Sequence, residues 1–588
     1  MIQLIKNSLQ KAVLEIYPDF SGEIELDEPK DKLHGDFSSN IAMKIAKDLG
    51  KNPREVANEI SDKWSVASDK WSVYFEQVEI AGPGFINFKL SKKGLSEFLG
   101  NILKTKDDLI GTKLLEKQKF FVEFAHPNTH KAFHIGHLRN ICLGESLVRI
   151  FESHGAEVFR ANYQGDIGPH VAKCIWAIQR EGIPENLNDA QKRAEFLGKV
   201  YAIGGKAYEN DEKAKAEIIE INKDIYIGEN QNLIKLYKMT RQWSLDYFEI
   251  IYAKLGTKKF DRLFFESEVF QNGKKIVEEN LGKIFTKSEG AIVFEGEKYG
   301  LHTRVFVTKN NTATYEGKEL GLAFKEYEAC PDMDKKVHIV ANEQSGYFQV
   351  LFKVIEMLLP KLIGKQVHVD YGIVKLTTGK MSSRTGDVIT AEWLIDELKN
   401  EIANVIKKSE EFNLDEIENI KEKVAIGAIK FVMLYSASKN DISFDLKKAV
   451  RLDGDSGPYI QYAYARIRAI LRRKEDKSPQ PPLSRGSKSP LDKGDLGDLP
   501  FNEKDFGLIR KLLYFEKAVK NSTLNYSPHF ICHYLLDLTS EFSSWYAVNR
   551  VLDEKEDLKN ARLQLLEAVS KVFKNGLYLL GIETLERM

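Results

Sequence analysis

The sequence of 588 residues has no uninterrupted apolar run close to the roughly 18 residues that a membrane-spanning helix needs. Its first twenty residues interrupt every apolar run with Lys, Asn, Gln or Glu, so the apolar core of a secretory signal is absent. These two absences predict a cytoplasmic protein that has no contact with a membrane.

Cysteine is scarce as well, with Cys142, Cys174, Cys330 and Cys532 far apart and no C-x-x-C pair. This pattern excludes a disulfide framework and argues against a zinc site of the cysteine type. Net charge is also absent, because 86 Lys and Arg balance 86 Asp and Glu. Any nucleic-acid binding must therefore come from local basic faces.

The chain divides into three parts by pattern. Residues 1–112 predict a small mixed domain, with helices at 42–49 and 53–60 and a strand–turn–strand at 78–88. Residues 113–390 predict an α/β domain, and residues 391–588 predict a helical bundle.

The middle part opens with FFVEF at 120–124, a helical pattern at 137–154 and a second strand pattern at 157–161. This β-α-β unit predicts a parallel sheet, with further strands at 337–341 and 367–369. Residues 175–250 are predicted to be a helical insertion.

The last part has helical spacing at 424–436, 460–473, 530–546 and 562–580. Residues 478–500 are rich in Pro, Gly, Ser and Lys and cannot supply a core, so we interpret them as a disordered insertion.

The stretch EFAHPNTHKAFHIGHLRN, residues 123–140, carries the strongest chemical signal. A strand ends near Phe124, and a helix is predicted to begin close to Gly136 and His137. His134 and His137 would then flank a helix start, where free amides and the helix dipole favour phosphate. Gly136 would let a ligand approach the backbone closely.

A zinc cluster of His126, His130, His134 and His137 is the alternative. Pro127 and the strand-to-helix turn would separate the first two histidines from the second two, and no carboxylate or thiolate completes a familiar spacing.

A second signal is GKMSSRTG at 379–386, where glycines flank a charged segment. Lys380 and Arg384 give this loop a positive charge suited to a phosphate chain. On its own, such a loop is a weak signal.

Together, HIGH at 134–137 and KMSS at 380–383 resemble the signature pair of the class I aminoacyl-tRNA synthetases. The resemblance implies a Rossmann-type domain in which both motifs lie over the triphosphate of ATP. It assigns catalysis to His134, His137 and Lys380, and ATP binding to these three residues together with Gly136, Ser382 and Ser383. It implies Mg²⁺ with the ATP and no zinc.

The ionisation of the amino-acid substrate agrees with the assignment of His134, His137 and Lys380 to catalysis. An amino-acid carboxylate is ionised at neutral pH and can attack the α-phosphorus without a general base. The site must supply alignment and charge compensation, so we expect electrostatic rather than acid–base catalysis.

Longer segments resemble the arginyl-tRNA synthetases over nearly the whole chain. They are VEF-x-x-PNT-x-K-x-x-HIGHLRN from residue 122, NYQGDIG at 162–168, TYEGKEL at 314–320 and EQSGYFQVLF at 343–352. This resemblance assigns arginine binding to Glu123, Asn128, Tyr315, Glu319 and Gln344. A guanidinium has five donors and no acceptor, so carboxylates and carbonyls suit it.

Four positions depart from that family's usual pattern. Glu319 stands where Asp is usual, His126 where Ser is usual, Ala132 where Pro is usual and Tyr347 where His is usual. These changes affect the details of the amino-acid pocket.

The flanks resemble the same family. HGDFSSN at 34–40 and AGPGFINF at 81–88 are similar to its N-terminal domain, and residues 453–473 and 560–588 are similar to its helical domain. We predict tRNA contacts at Asn40, Tyr459, Gln461, Tyr462, Arg466, Trp545 and Met588.

The resemblance therefore implies a monomeric arginine–tRNA ligase with L-arginine, ATP and tRNA(Arg) as partners. Three alternatives stay open at this point: a class I synthetase for another amino acid, a tRNA-binding paralogue without catalysis, and a simple nucleotidyltransferase.

Overall fold

The computed structural model describes residues 2–29, 31–67, 72–106, 109–111, 113–377, 389–405, 412–476 and 499–588. Two predicted segments fall largely outside these ranges. The KMSS loop, with Lys380, Ser382 and Ser383, lies outside the described residues, and so does nearly all of the predicted insertion at 478–500.

The first part of the chain is a three-stranded antiparallel sheet packed on helices. The elements are α1 (Ile2–Ile16), β1 (Phe37–Ser39), α2 (Ile41–Leu49), α3 (Pro53–Ala67), β2 (Phe75–Ala81), β3 (Phe85–Leu90) and α4 (Lys92–Lys104). The strands pair in the order β1-β3-β2. The two helices and the strand–turn–strand predicted here are confirmed.

A five-stranded parallel sheet forms the centre of the next part. In chain order the elements are β4 (Lys119–Glu123), α5 (Ile135–Ser153), β5 (Glu157–Gln164), α6 (Pro169–Glu181), α7 (Ala190–Asn210), α8 (Glu212–Ile227), α9 (Gln231–Lys254), β6 (Arg262–Phe265), α10 (Glu266–Glu279), β7 (Thr286–Ser288), β8 (Ala291–Phe294), β9 (Arg304–Val307), α11 (Tyr315–Ala329), β10 (Lys335–Ala341), α12 (Ser345–Leu358), β11 (Gln366–Tyr371) and β12 (Val374–Leu376). The strands of the parallel sheet pair in the order β11-β10-β4-β5-β6.

The predicted β-α-β unit and the helical insertion are confirmed by β4, α5, β5 and the helices α6 to α9. The sequence reading missed the small antiparallel sheet β7-β8-β9, whose strands are only three or four residues long. Such short strands give almost no alternating pattern to detect.

The last part consists mainly of helices. Its elements are α13 (Ala391–Val405), α14 (Leu414–Tyr435), β13 (Ile442–Phe444), α15 (Leu446–Ala449), α16 (Gly457–Asp476), α17 (Glu503–Leu512), α18 (Phe515–Leu524), α19 (His529–Val548) and α20 (Glu556–Leu579). The short strand β13 pairs in parallel with β12.

Helix α5 lies between the central sheet and the helical part, in contact with β4, β5 and β10 on one side and with α14, α18 and α20 on the other. Nearly every residue from Ile135 to Phe151 is buried. A helix buried on all sides belongs to the core. Within the described segments, every helix is too short or too polar to pass through a lipid bilayer.

A buried ion pair holds α17, α19 and α20 together. Asp505 is fully buried, and its Oδ1 accepts from Arg562 Nε at 3.1 Å and from the indole N–H of Trp545 at 2.9 Å. Arg562 also donates to Asn549 Oδ1 at 2.7 Å. These bonds balance the cost of burying both charges.

We predict that Asp505→Asn lowers the apparent melting temperature by about 5–10 °C, because the buried guanidinium of Arg562 loses its buried counter-charge and keeps only the partly exposed Glu554 at 3.2 Å. Scanning calorimetry measures this change. The matched control is Asp537→Asn, whose carboxylate is 66% exposed and pairs with Lys511 at the surface; it should melt close to the unchanged protein. Equal melting of the two variants would contradict the assignment.

Candidate active site

The central sheet has a switch in strand order at β4. The chain builds β4, β5 and β6 in one direction and then places β10 and β11 on the other side of β4. In open parallel sheets, ligands bind at such a switch point, outside the carboxyl ends of the strands. The crevice at the ends of β4 and β10 is therefore the candidate site.

His134 and His137 both lie at the start of α5, which leaves the sheet directly after β4. The Nδ1 atom of His134, the N-cap residue, accepts from the amide of Gly136 at 3.1 Å. The Nδ1 atom of His137 accepts from the amide of His134 at 3.1 Å. The two rings stack with their centroids 3.7 Å apart.

These bonds determine the tautomer of both imidazoles. Because each Nδ1 accepts from an amide, each neutral ring carries its proton on Nε2. Burial lowers the pKa of His134 and lowers that of His137 well below its usual value, with the neighbouring His134 adding to the second shift. The site therefore holds two neutral N–H donors at a helix start.

The chain that follows the KMSS loop can be located, although the loop itself lies outside the described residues. The amide of Ile135 donates to the carbonyl of Ile389 at 2.9 Å, and the amide of Ala391 donates to the carbonyl of Phe133 at 2.8 Å. His134 and Thr390 form an antiparallel bridge between these bonds. The chain that leaves the loop thus runs beside the first motif.

Glu123 ends β4 and is almost completely buried. Its two oxygens face histidines from different segments, with His338 Nδ1 at 3.0 Å and His126 Nδ1 at 3.6 Å. Burial lowers the pKa of His338 well below its usual value, so this neighbour is neutral. The carboxylate of Glu123 is left with little compensating charge.

Glu319 is a partly buried residue of α11. Burial raises the pKa of its carboxyl well above the usual value, and the charges of Glu123 and Glu326 raise it further. Two carboxyl groups that destabilise each other's charge form a site that favours a cation.

The other predicted arginine-binding residues occupy different surroundings. Tyr315 begins the same helix as Glu319 but is 77% exposed. Gln344 precedes α12 and is also exposed. Asn128 lies deeper and forms a parallel bridge with Gly165, just beyond β5.

Gly165 is required at its position by close packing. A Cβ atom there would lie 2.2 Å from Asn128 Oδ1 and 3.5 Å from Glu266 Oε2. Gly165 belongs to the NYQGDIG segment, so this segment leaves room for the Asn128 side chain.

The loop between β4 and α5 is strained. Ala125, His126 and His130 are non-glycine residues with φ values of +80°, +49° and +60°. Such conformations cost about 1–3 kcal/mol each and concentrate at functional sites. Of the four histidines of the zinc alternative, His130 already uses both ring nitrogens, which contact Thr129 and Thr240 at 3.0 and 2.8 Å.

Sequence reasoning missed two buried groups next to the site. Asp166, also in NYQGDIG, accepts from Tyr237, Arg241 and the amide and hydroxyl of Ser267, all at 2.7–2.8 Å. Lys336 on β10 forms a buried ion pair with Glu326 on α11. Asp166 bonds to residues 71 to 101 positions away, and Lys336 and Glu326 lie on different elements, so no local pattern signals either contact.

The predicted tRNA contacts are spread over surface and core. Arg466 is exposed and lies over the ring of Tyr546, while Tyr459, Tyr462, Asn40 and Met588 are partly buried. Trp545 and Gln461 are buried, and both form hydrogen bonds inside the helical part. Their side chains belong to the core in this structure. The predicted tRNA contacts that are at least partly exposed are therefore the other five residues.

Comparisons with known proteins agree with this geometry. The family model described as "tRNA synthetases class I (R), catalytic domain" matches residues 99–446. Models described as "Arginyl tRNA synthetase N terminal domain" and "DALR anticodon binding domain" match residues 1–90 and 460–588. The chain belongs to the arginyl-tRNA synthetase family.

Relatives of this synthetase support the same assignment along its whole length. The arginine–tRNA ligase of Treponema denticola is 31% identical over 575 residues, which cover 96% of this chain and 95% of that protein. The ligase of Clostridium acetobutylicum is 32% identical over 568 residues, 95% of each chain. The synthetase is thus an arginine–tRNA ligase, and its substrates are arginine, ATP and tRNA.

Solved synthetase structures share the fold. Thermus thermophilus arginyl-tRNA synthetase matches with a TM-score of 0.80 at 24% identity, covering 100% of both chains. The Plasmodium falciparum enzyme matches with a TM-score of 0.76 at 20% identity, covering 100% of this chain and 99% of that one. The predicted Rossmann-type fold with an N-terminal domain and a C-terminal helical domain is confirmed.

We predict that Gly165→Ala raises the arginine concentration needed for half-maximal aminoacylation about tenfold, since the new methyl group displaces the Asn128 side chain. Steady-state aminoacylation at varied arginine measures the effect. The control is Gly198→Ala in α7, where a Cβ meets no atom within 4 Å. A normal arginine requirement in the Gly165 variant would show that Asn128 is not needed.

Proposed function

We propose that arginine is activated in the crevice at the ends of β4 and β10, with ATP lying across the start of α5. The supporting observation is the pairing of residues 389–391 with residues 133–135. This pairing anchors one end of the KMSS loop beside His134 and His137, within reach of the same triphosphate.

In this proposal His134 and His137 donate their Nε2 protons as hydrogen bonds to phosphate oxygens. A neutral imidazole whose proton sits on Nε2 stabilises charge that develops on the phosphates without transferring a proton. Gly136 leaves the helix start open to the ligand. Lys380 supplies the positive charge, and Ser382 and Ser383 donate hydroxyl protons to the same phosphates.

We propose that the arginine side chain binds between Glu123 and Glu319, because both carboxyls gain from a nearby cation. A guanidinium can offer parallel N–H groups to a carboxylate. In this proposal Asn128, which packs against Gly165, also contacts the arginine, while the exposed Tyr315 and Gln344 close over the substrate. The ammonium and carboxylate of arginine would then point toward ATP.

The remaining assignments are also proposals. Mg²⁺ enters as a complex with ATP, because this ion is usually held through substrate phosphates. The chain acts as a monomer in the cytoplasm on tRNA(Arg), with functional domains at 1–112, 113–390 and 391–588. RNA contacts fall on Asn40, Tyr459, Tyr462, Arg466 and Met588, which are at least partly exposed.

We predict that His137→Ala lowers the rate of adenylate formation on the order of 10²- to 10³-fold, with little change in arginine affinity. Rapid quenching with labelled ATP, in the presence of tRNA, measures the chemical step. The matched control is His302→Ala, an exposed histidine whose loss should leave the rate intact. A rate within a few-fold of normal for His137→Ala would remove the imidazole from the proposed mechanism.

We predict that arginine binds more tightly as pH rises through the raised pKa of Glu319, since the protonated carboxyl at lower pH has no charge to offer. Glu319→Gln should abolish this pH dependence and weaken binding about tenfold or more at high pH. Calorimetric titration with arginine across pH measures both effects.

The control for this experiment is Glu328→Gln, an exposed carboxylate on the same helix. It should retain the normal pH profile. If Glu319→Gln kept the profile of the unchanged protein, the guanidinium would have to bind elsewhere.

A further inference from the structure

A cavity of about 300 Å³ lies on the far side of α5 from the sheet, away from the crevice described above. It is formed where α5, the end of α9, α14, α20 and the segment after α20 meet. Its volume is at the lower end of the range of small-molecule pockets. Its charged lining residues are Arg149, Lys254, Lys423, Lys430, Lys574 and Glu583.

This lining carries far more positive than negative charge. Glu583 is its single carboxylate among the described residues, and it already pairs with Lys423 at 2.8 Å. Arg149 pairs with Glu145 at 2.8 Å, but the same carboxylate also pairs with Arg160 at 2.6 Å.

The other three cations have no such partner. In the part of the chain that the structure describes, no carboxylate lies within ion-pair distance of Lys254, Lys430 or Lys574. Lys254 and Lys574 are exposed and stand at the rim, while Lys430 is buried in the floor.

Lys430 is held in place by backbone rather than by charge. Its ammonium group donates to the carbonyl oxygens of Leu255 and Gly581, which leaves one of its three N–H donors unassigned. Burial lowers its pKa to about 8. A buried ammonium group that has only carbonyl partners would be stabilised by an anion.

Gly581 keeps the floor of the cavity compact. Its φ of +69° suits glycine, and a Cβ atom there would lie 3.1 Å from Lys430 Nζ and 3.9 Å from the guanidinium carbon of Arg149. The chain therefore passes closely beside both floor cations. Arg149 in turn donates to the carbonyls of Tyr578 and Gly256 at 3.0 and 2.7 Å.

We infer that this cavity binds a phosphate-bearing anion through Lys254, Lys430 and Lys574. Lysine ammonium groups bind phosphate as compact point charges, and an anion here would relieve the repulsion among the unpaired cations. Two sources supply this chemistry: inorganic pyrophosphate, which the ligase releases from ATP, and a backbone phosphate of tRNA. The site is separate from the ATP crevice, because its residues come from the other end of α5.

Acetylation of lysines in the full-length protein tests this inference at the site itself. The protein is treated briefly with an acetyl ester, with and without metal-free pyrophosphate, and peptide mass spectrometry follows each lysine. Pyrophosphate should slow the labelling of Lys254 and Lys574 several-fold. The exposed Lys275 and Lys361 are the internal controls and should be labelled equally in both samples.

Variants provide an independent readout. Calorimetric titration with pyrophosphate should find one binding equivalent fewer in Lys254→Gln/Lys574→Gln than in the unchanged protein and in Lys275→Gln/Lys361→Gln. These exposed residues can be changed without disturbing the buried floor. Protection from labelling together with loss of this equivalent would identify a site for small phosphate compounds.

The second arm of the experiment uses tRNA. If a backbone phosphate occupies the cavity, tRNA slows the same labelling, and the slope of log affinity against log salt falls by about 0.7–0.9 for each lost contact in the double variant. Two results would overturn the inference: unchanged labelling with both pyrophosphate and tRNA, or protection by tRNA alone with an unchanged salt slope.

Discussion

The geometry of the active site depends on how Asn140 fixes the start of α5. This fully buried amide accepts from the backbone N–H of Ala125 and donates to the carbonyl of Ile339 at 2.7 Å and to Tyr371 at 3.2 Å. It therefore ties the strained loop after β4 to both β10 and β11. Backbone strain of this kind persists only where surrounding contacts over-determine it.

The consequence is that His134 and His137 are placed by the sheet and not by the loop that carries them. Their Nδ1 atoms are occupied by amides of the first helical turn, and their rings stack on each other. Each ring is left with one orientation and one donor. In the proposed mechanism, donors held this way need no rearrangement when charge develops on a phosphate.

Local patterns in the sequence were enough to predict β4, α5, β5 and most of the later helices, because these elements have clear apolar periods. Local patterns are not enough to predict the residues of the site. The roles of Glu123, Asn128 and Glu319 came from resemblance, since a single carboxylate or amide carries no periodic signal. The Glu326–Lys336 pair escaped notice because it exists only when α11 packs on β10. For Trp545 the resemblance predicts a contact with RNA, while the structure places its ring in the core beside Asp505, a burial that one aromatic residue in a helical pattern does not reveal.

The two ends of α5 lie next to side chains of opposite charge type, with carboxyl groups at its start and cations at its other end. At its start, the crevice holds the carboxyl groups of Glu123 and Glu319, which suit a cationic amino acid. At its other end, Arg149 stands among uncompensated cations. The helix has 19 residues and is about 28 Å long.

Because α5 is buried along this whole length, a displacement at one end cannot be absorbed by solvent. Arg149 is bound to carbonyls of residues 256 and 578, and Ser146 donates to the carbonyl of Leu579 at 2.9 Å. The last residues of α20 and the turn after α9 therefore fix the rear of the helix that carries His134 and His137. In the proposed mechanism, substitutions at these contacts would change the activation of arginine without touching any substrate, since they would alter the support of α5 and not the crevice itself.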